Sequence, residues 1–292
     1  MVGRHYRGRV DGGTQLGLDA LDPAFAPRPL LRVTPARLAT WSDCPRRYRL
    51  TYVDRPTPPR SGARAGSTLG AVVHLALRAF YDLPPARRTP DAAAGLVDRN
   101  WNSEGFRDGE QAAEFRLRAR EWVAEYVAGA GADATPIALE RWVSVSTSRI
   151  VVGGRTDRID ERGREAVVVD YKTGRRPGAD DARRSQALAL YALGARSTLR
   201  RPCTRVELHH VPTGDVVAAV HDEESLREHL DRAEDGAQEA ADAADALTAG
   251  GDPDLAFPPR PAARCGFCDV RRHCSEGRAT APEREPWASL EP

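Results

Sequence analysis

Three side chains in two neighbouring segments have the types and spacing for metal-assisted hydrolysis. Asp157 closes the run Gly154-Arg155-Thr156-Asp157, and Asp170 and Lys172 stand two apart in Val169-Asp170-Tyr171-Lys172. On a strand, residues two apart share a face. A turn centred between Gly163 and Arg164 brings Asp157 opposite Asp170, so two carboxylates and one ammonium converge. Such a carboxylate pair repels unless a cation neutralises it, and hard divalent ions take oxygen ligands. An ion held there lowers the pKa of bound water and stabilises charge building on a phosphate. The flanking apolar residues, Val167, Val168, Val169 and Ile159, mark a central strand, where an idle Asp and Lys are costly to bury.

Composition singles out the same lysine. Of 43 basic side chains Lys172 alone is lysine and the rest are arginine. A lysine retained against that bias does something that a broad, permanently charged guanidinium cannot.

The cysteines make a second constellation. Cys265-Gly266-Phe267-Cys268 lets two thiolates hold one metal or cluster corner, and Cys274 can supply a third. Five cysteines, an odd number gathered toward one end of a 292-residue chain, suit metal ligation better than a disulfide framework. The spacing accommodates zinc and a [4Fe–4S] cluster equally, and His273 beside Cys274 keeps zinc open.

The rest of the composition mostly excludes. A net charge of +1 sets up no global field toward nucleic acid, so any contact to phosphate falls to local arginine groups, Arg46/Arg47/Arg49, Arg175/Arg176, Arg183/Arg184 and Arg271/Arg272, each of which taken singly reads first as solvated surface. Trp41, Tyr48 and Tyr52 interleave with the first group as candidates for base stacking or core packing. No glycine precedes Lys172 to make a phosphate-binding loop, and there is no Gly-x-Ser-x-Gly elbow. No apolar stretch approaches a membrane span or a secretory leader, which makes the cytoplasm the expected compartment.

These residues need a scaffold, and the pattern supplies one. Residues 1–32, rich in Gly, Pro and Arg, read as a disordered tail. Thr34-Pro35 opens a short helix through Leu38 and Trp41 to Cys44-Pro45. Thr68 to Leu83 is a helix with Leu69, Val72, Val73, Ala76 and Phe80 on one stripe and His74 roughly opposite. Further helix fills 84–134. Strands follow at 139–147, 150–160 and 166–172, then a helix at 183–195, strands at 204–211 and 216–220, and an alanine-rich helix at 223–247. Strands set between helices in this order indicate an α/β (α+β) core built on a mixed central sheet flanked by helices.

The string Asp170-Tyr171-Lys172-Thr173-Gly174, preceded by Gly154-Arg155-Thr156-Asp157, resembles the PD-(D/E)xK nucleases of the RecB type. Thr34-Pro35-Ala36-Arg37-Leu38 through Cys44-Pro45-Arg46-Arg47-Tyr48 resembles that group's N-terminal cysteine motif, and Gly70-Ala71-Val72-Val73-His74 its histidine motif. The Cys265/Cys268/Cys274 segment resembles the iron–sulfur motif of AddB-like and CRISPR-adaptation nucleases. The resemblance spans roughly residues 33–276, as one nuclease domain with a helical insertion (84–134), a catalytic sheet core (137–220) and a cysteine segment (252–276), followed by a tail (277–292).

It implies a divalent-metal-dependent deoxyribonuclease that hydrolyses DNA at ends or in single strands, more as an exonuclease than an endonuclease, in repair, recombination or defence. It further implies a Mg²⁺ or Mn²⁺ site from His74, Asp157, Asp170 and the main-chain carbonyl of Tyr171, with Lys172 and Tyr191 as catalytic partners and Asp160 as a supporting acid. The family places Gln four residues before its Tyr, whereas Gln186 and Tyr191 are five apart and Ala187 holds the expected place. The same resemblance favours a [4Fe–4S] cluster over structural Zn²⁺ and picks Cys44 over Cys203 as fourth ligand, stapling the ends of the domain. The competing reading is a binding subunit, weakly catalytic or inert, beside a separate helicase.

Overall fold

A computed structural model describes residues 30–290. Its elements, in chain order, are β1 (Leu31–Val33), α1 (Pro35–Asp43), α2 (Pro45–Tyr48), α3 (Ala65–Tyr81), α4 (Pro90–Arg99), α5 (Gly109–Ala128), β2 (Pro136–Ser146), β3 (Ile150–Arg162), β4 (Glu165–Lys172), α6 (Asp181–Arg184), α7 (Gln186–Leu199), β5 (Arg205–His210), β6 (Asp215–Val220), α8 (Glu223–Thr248), α9 (Pro253–Ala256) and α10 (Ser275–Thr280). The helix starts are written locally. Thr34, Thr89, Asp108, Ser185 and Asp222 each accept a backbone N–H of the first turn, and Pro follows the cap in α1 and α4.

The sheet is mixed, and β3 is its spine. One edge of β3 pairs with β2 along nearly its full length, antiparallel. Its other edge is divided: Ile150–Val152 pair with β1 in parallel, and Arg158–Arg162 pair with β4 antiparallel. Residues 153–157 pair with β2 alone, which leaves a gap in the sheet between β1 and β4. β4 continues in parallel with β5, and β5 in antiparallel with β6. The register Arg162↔Glu165 puts the β3–β4 turn at Gly163-Arg164, as the sequence indicates.

Alternation divides β4 between two cores. Val168 faces a core built from α1, α7 and α8 (Leu38, Leu188, Leu226, Ala233, Ala237), while Val167, Val169 and Tyr171 face one built from α3, α4 and α5 (Leu69, Val73, Leu77, Val97, Val123). Cys203 is buried in the first core, as a plain packing residue. Helices therefore cover both faces of the sheet, and among the described residues none is long and apolar enough to cross a membrane.

The second core holds an unexpected polar network. Arg158 is 1% exposed, with its guanidinium over the rings of Tyr81 and Tyr171. It donates to the hydroxyls of Tyr126 (3.2 Å) and Tyr171 (2.9 Å) and pairs with Asp160 at 2.9 Å. The Tyr126 hydroxyl donates to His209 Nδ1 (2.7 Å), and His209 Nε2 donates to Glu207 (2.8 Å), which also binds Arg162 and Arg205. Burial holds the His209 pKa below its ordinary value, which fits this neutral tautomer. Asp160 thus lies on the face opposite Asp157 and serves Arg158, a correction to its assignment as a supporting acid of the catalytic pair.

Three more differences have physical causes. Leu31 and Arg32, assigned to a disordered tail, form β1 with Val33: three residues carry no periodicity but gain a ladder from the free edge of β3. Residues 1–29, the remainder of that tail, lie outside the described residues. The helix expected at 183–195 is two helices, because Ser185 leaves the helical region to cap α7. The segment read as a trailing tail from residue 277 packs back onto the domain. The Ala65 N–H donates to the Pro286 carbonyl (3.1 Å), and Leu290 packs on the α3–α5 core.

Removing one partner of a buried ion pair strands the other, at about 3–5 kcal/mol. Arg158→Met is therefore expected to lower the urea-unfolding free energy by about that amount, and Asp160→Asn added to it should restore part of the loss. A single variant as stable as the wild type would show that the network is incidental to the fold.

Candidate active site

The gap in the sheet organises the site. β4 leaves β3 after the Arg158↔Val169 pair, so Asp157 and Asp170 face each other one step beyond the last paired residues. There the Asp157 side chain replaces the missing ladder, and its Oδ2 accepts the Tyr171 N–H at 2.9 Å. Its Oδ1 lies 3.2 Å from His74 Nδ1 on α3, and His74 Nε2 lies 3.2 Å from the Tyr171 carbonyl. Gly70, one turn earlier on α3, allows this approach, since a Cβ there would meet Thr173 Oγ1 at 3.2 Å. Lys172 Nζ stands 2.5 Å from Asp170 Oδ2 with its side chain half-exposed.

The electrostatics match a cation site. Burial and the Asp157 charge push the Asp170 pKa up, against the pull of Lys172 and His74. For His74 burial favours the neutral ring, but the Asp157 hydrogen bond and both carboxylates outweigh it and raise the pKa. Its two ring nitrogens lie between the Asp157 carboxylate and the Tyr171 carbonyl. Among the described residues no three His, Cys, Asp or Glu side chains form a ready-made ion site. The donor set nevertheless fits a hard cation: the carboxylates of Asp157 and Asp170 and the main-chain carbonyl of Tyr171.

The second tier of expected residues separates. Tyr191 comes to the site: its ring would touch a Cβ at Gly154 (2.8 Å), and burial together with Asp170 and Asp157 pushes its hydroxyl up to about 12. Gln186 does not, for its amide donates to the His229 carbonyl of α8 (3.2 Å). The five-residue spacing turns it away from Tyr191.

Glu140 on β2 is a site residue that the motifs miss. The pairs Leu139↔Arg158 and Arg141↔Thr156 place it opposite Asp157, which gives three carboxylates on three adjacent strands. Burial and the Asp157 charge raise its pKa, while Arg155, His74 and Arg78 oppose the shift. Its φ of +48° lies in the left-handed region, which side chains other than glycine enter at a cost. A signal for it existed: pairing Thr147 with Ile150 across the intervening turn puts Glu140 on Asp157.

The cysteines also assemble. Cys44, Cys265, Cys268 and Cys274 line one cavity of about 230 Å³, and Cys203, its thiol pushed up to about 12 by burial, is elsewhere. Backbone N–H groups of Arg260, Ala262 and Gly277 point at Cys44, Cys265 and Cys274 sulfurs at 3.3–3.4 Å. His273 turns away to the Pro59 carbonyl (3.0 Å). Arginines fasten this lobe as well. Arg46, buried, pairs with Asp254 (2.7 Å) and Glu276 (3.5 Å), and Arg47 with Asp269 (3.0 Å). That corrects the reading of Arg46, Arg47 and Arg49 as phosphate contacts, since Arg49 is likewise engaged with Asp54 (3.3 Å). Trp41 packs edge-on against Phe257 and is unavailable to bases.

A strained glutamate held at a functional site gives a direct expectation. Glu140→Gly relieves both the left-handed backbone and the repulsion from Asp157, and should raise unfolding stability by on the order of 1 kcal/mol. The same variant should lose cleavage activity. Urea titration and a nuclease assay of one preparation check both, and a destabilised variant would refute the strain.

Comparison with known proteins agrees with this geometry. The family model described as the PD-(D/E)XK nuclease superfamily matches residues 32–275. No curated protein matches the chain. Among solved structures, a protein from Eubacterium rectale provisionally named an exonuclease superposes with a TM-score of 0.52 at 13% identity, covering 89% of this chain and 94% of that one, a likeness of fold. With most of its length matched by the family model and its two aspartates and lysine gathered at the break in the sheet, the chain belongs to the PD-(D/E)XK nuclease superfamily.

Proposed function

We propose that the chain is a divalent-metal-dependent deoxyribonuclease acting on DNA ends or single strands, as an exonuclease, within DNA repair, recombination or defence. The observation that carries this reading is the meeting of Asp157, Asp170 and Lys172 at the end of the β3–β4 ladder, with His74 and the Tyr171 carbonyl beside them. The family supports the nuclease, and the neighbour's provisional name leans toward exonuclease. DNA is the partner implied, with any helicase on a separate chain.

Asp157, Asp170 and the Tyr171 carbonyl, with His74, would hold Mg²⁺ or Mn²⁺. A bound ion supplies an activated water and neutralises charge on the phosphate. The protein does the positioning. Asp157 fixes the Tyr171 peptide through its N–H, and His74 fixes it through the carbonyl. Lys172, pinned to Asp170, holds its ammonium where the attacking water and scissile phosphate meet. The Tyr191 hydroxyl, still protonated near neutral pH, donates to a phosphate oxygen.

Cleavage of single-stranded DNA should need Mg²⁺ or Mn²⁺ and stop in excess EDTA, while Lys172→Arg should cost on the order of a hundredfold in single-turnover rate, as misplacement by about an ångström does. Undiminished cutting in EDTA would overturn the metal mechanism. Near-wild-type cutting by the arginine variant would overturn the role of Lys172.

The cysteine cavity is proposed to hold a [4Fe–4S] cluster on Cys44, Cys265, Cys268 and Cys274. Four thiols on one cavity with peptide N–H groups aimed at three sulfurs suit a cluster, and His273, the residue that zinc would recruit, faces away. Anaerobically purified protein should be brown and contain iron and sulfide. Each of the four substitutions to serine should remove the colour and lower the melting temperature, and Cys203→Ser should not. One zinc per colourless chain would replace the cluster with Zn²⁺.

A further inference from the structure

A groove of about 570 Å³ opens beside the catalytic strand, lined by Arg64, Phe115, Arg118, Trp122, Thr173 and Phe267 among others, and no acidic side chain lines it. Thr173 and Gly174, which line it too, follow Lys172 directly, so its inner end is the exit from the proposed active site. Its far wall is Phe267, between Cys265 and Cys268, 39% exposed despite its size. Two of the rings carry a guanidinium: Arg64 lies over Phe267 (5.4 Å) and Arg118 over Phe115 (5.0 Å). Arg64 donates through one Nη to the Arg284 carbonyl (3.3 Å) and pairs with no acid among the described residues, its buried Nε having no partner, and the Arg118–Glu114 pair is a solvent-exposed helix pair of little worth.

Aromatic faces interleaved with cations along a groove free of carboxylates are the chemistry that holds unpaired bases and their phosphates. The contrast with the larger groove of about 680 Å³ between α1 and α8 decides the choice. There Arg183, Arg184, Arg232 and Arg260 are interleaved with Glu228, Asp235 and Glu239, whose charges offset most of the attraction for a polyanion. A duplex keeps its base faces stacked inside and cannot present them to Trp122 or Phe267.

We infer that the groove between Trp122 and Phe267 carries single-stranded DNA to or from the catalytic carboxylates, its bases stacking on those two rings and its phosphates meeting Arg64 and Arg118. The inference rests on the nuclease reading above and names the surface and the strandedness that this reading leaves open.

The test separates the two. Binding of a fluorescent oligodeoxythymidylate is measured by anisotropy in EDTA, for wild type, Arg118→Ala and Phe267→Leu, beside a blunt duplex of equal length and an abasic strand. Hydrolysis of thymidine 5′-(4-nitrophenyl phosphate) with Mn²⁺ reports the catalytic site without the groove. Each variant should bind the single strand on the order of tenfold more weakly, bind the duplex as wild type does, and hydrolyse the small ester at the wild-type rate. The wild type should bind the abasic strand at least as weakly as Phe267→Leu binds the normal one. Unchanged single-strand binding by both variants, or equal loss on duplex and single strand, would overturn the groove. Normal groove binding without hydrolysis of the small ester by wild type would overturn the nuclease reading and leave the groove in place.

Discussion

The hydrogen bond from the Tyr171 N–H to Asp157 holds the site together. Adjacent strands normally satisfy every backbone donor with a backbone acceptor, and a strand that departs early leaves donors exposed. Here β4 departs from β3, and a side-chain carboxylate takes the orphaned N–H. The same carboxylate is thereby fixed against Asp170 on one side and His74 on the other. The break in the ladder opens a cleft between β1 and β4, and the acid that repairs the break is the one proposed above to hold the metal. Loss of Asp157 would leave both an unpaired Tyr171 N–H and a cleft short of one carboxylate.

A cleft at a strand fork needs stiff surroundings, and the α3–α5 core supplies them. Tyr171 presents its carbonyl to His74, and its ring enters the α3–α5 core, where its hydroxyl accepts from Arg158. Arg158 is held in turn by Asp160, Tyr126 and two ring faces, so the peptide that serves the catalytic side is clamped through its own side chain. Buried polar groups are costly unless fully partnered. This chain meets that condition by running the network outward, through His209 and Glu207, to Arg162 and Arg205 at the half-exposed rim.

How much of this the sequence discloses depends on whether a residue's role follows from period or from pairing. The Asp157/Asp170 opposition follows from one turn at Gly163-Arg164 and is legible. So is the gathering of Cys44 with the three distal cysteines, given the motif, and the burial of Cys203. Glu140 was legible in principle and missed, because its meaning lies in a pairing of β2 with β3 and not in a motif. The network around Arg158 is hidden for a better reason. Arg158, Asp160, Glu207 and His209 occupy inward positions of strands, and alternation assigns charged residues to the outside. The arginines at 46, 47 and 49 mislead in the opposite sense: clustered cations suggest phosphate, yet each is matched by an acid distant in sequence, at Asp254, Asp269 or the nearer Asp54.

Those matched arginines also bear on what the cysteine lobe is for. If Cys44 and its three partners served stability alone, the ion pairs of Arg46 and Arg47 and the Ser61–Asp269 backbone bond would already tie the lobe to α2 and the following loop. The cysteines add local shape instead. Cys265 and Cys268 bracket Phe267, and Gly266 between them is so close to the returning chain that a Cβ there would meet the Pro282 carbonyl at 2.7 Å. Fixing both cysteines fixes the direction of the one exposed ring in that loop. A cluster or ion held by this lobe would therefore set one wall of the groove that leads to Thr173 and Gly174, and the two constellations read separately in the sequence would then serve one strand of the proposed substrate.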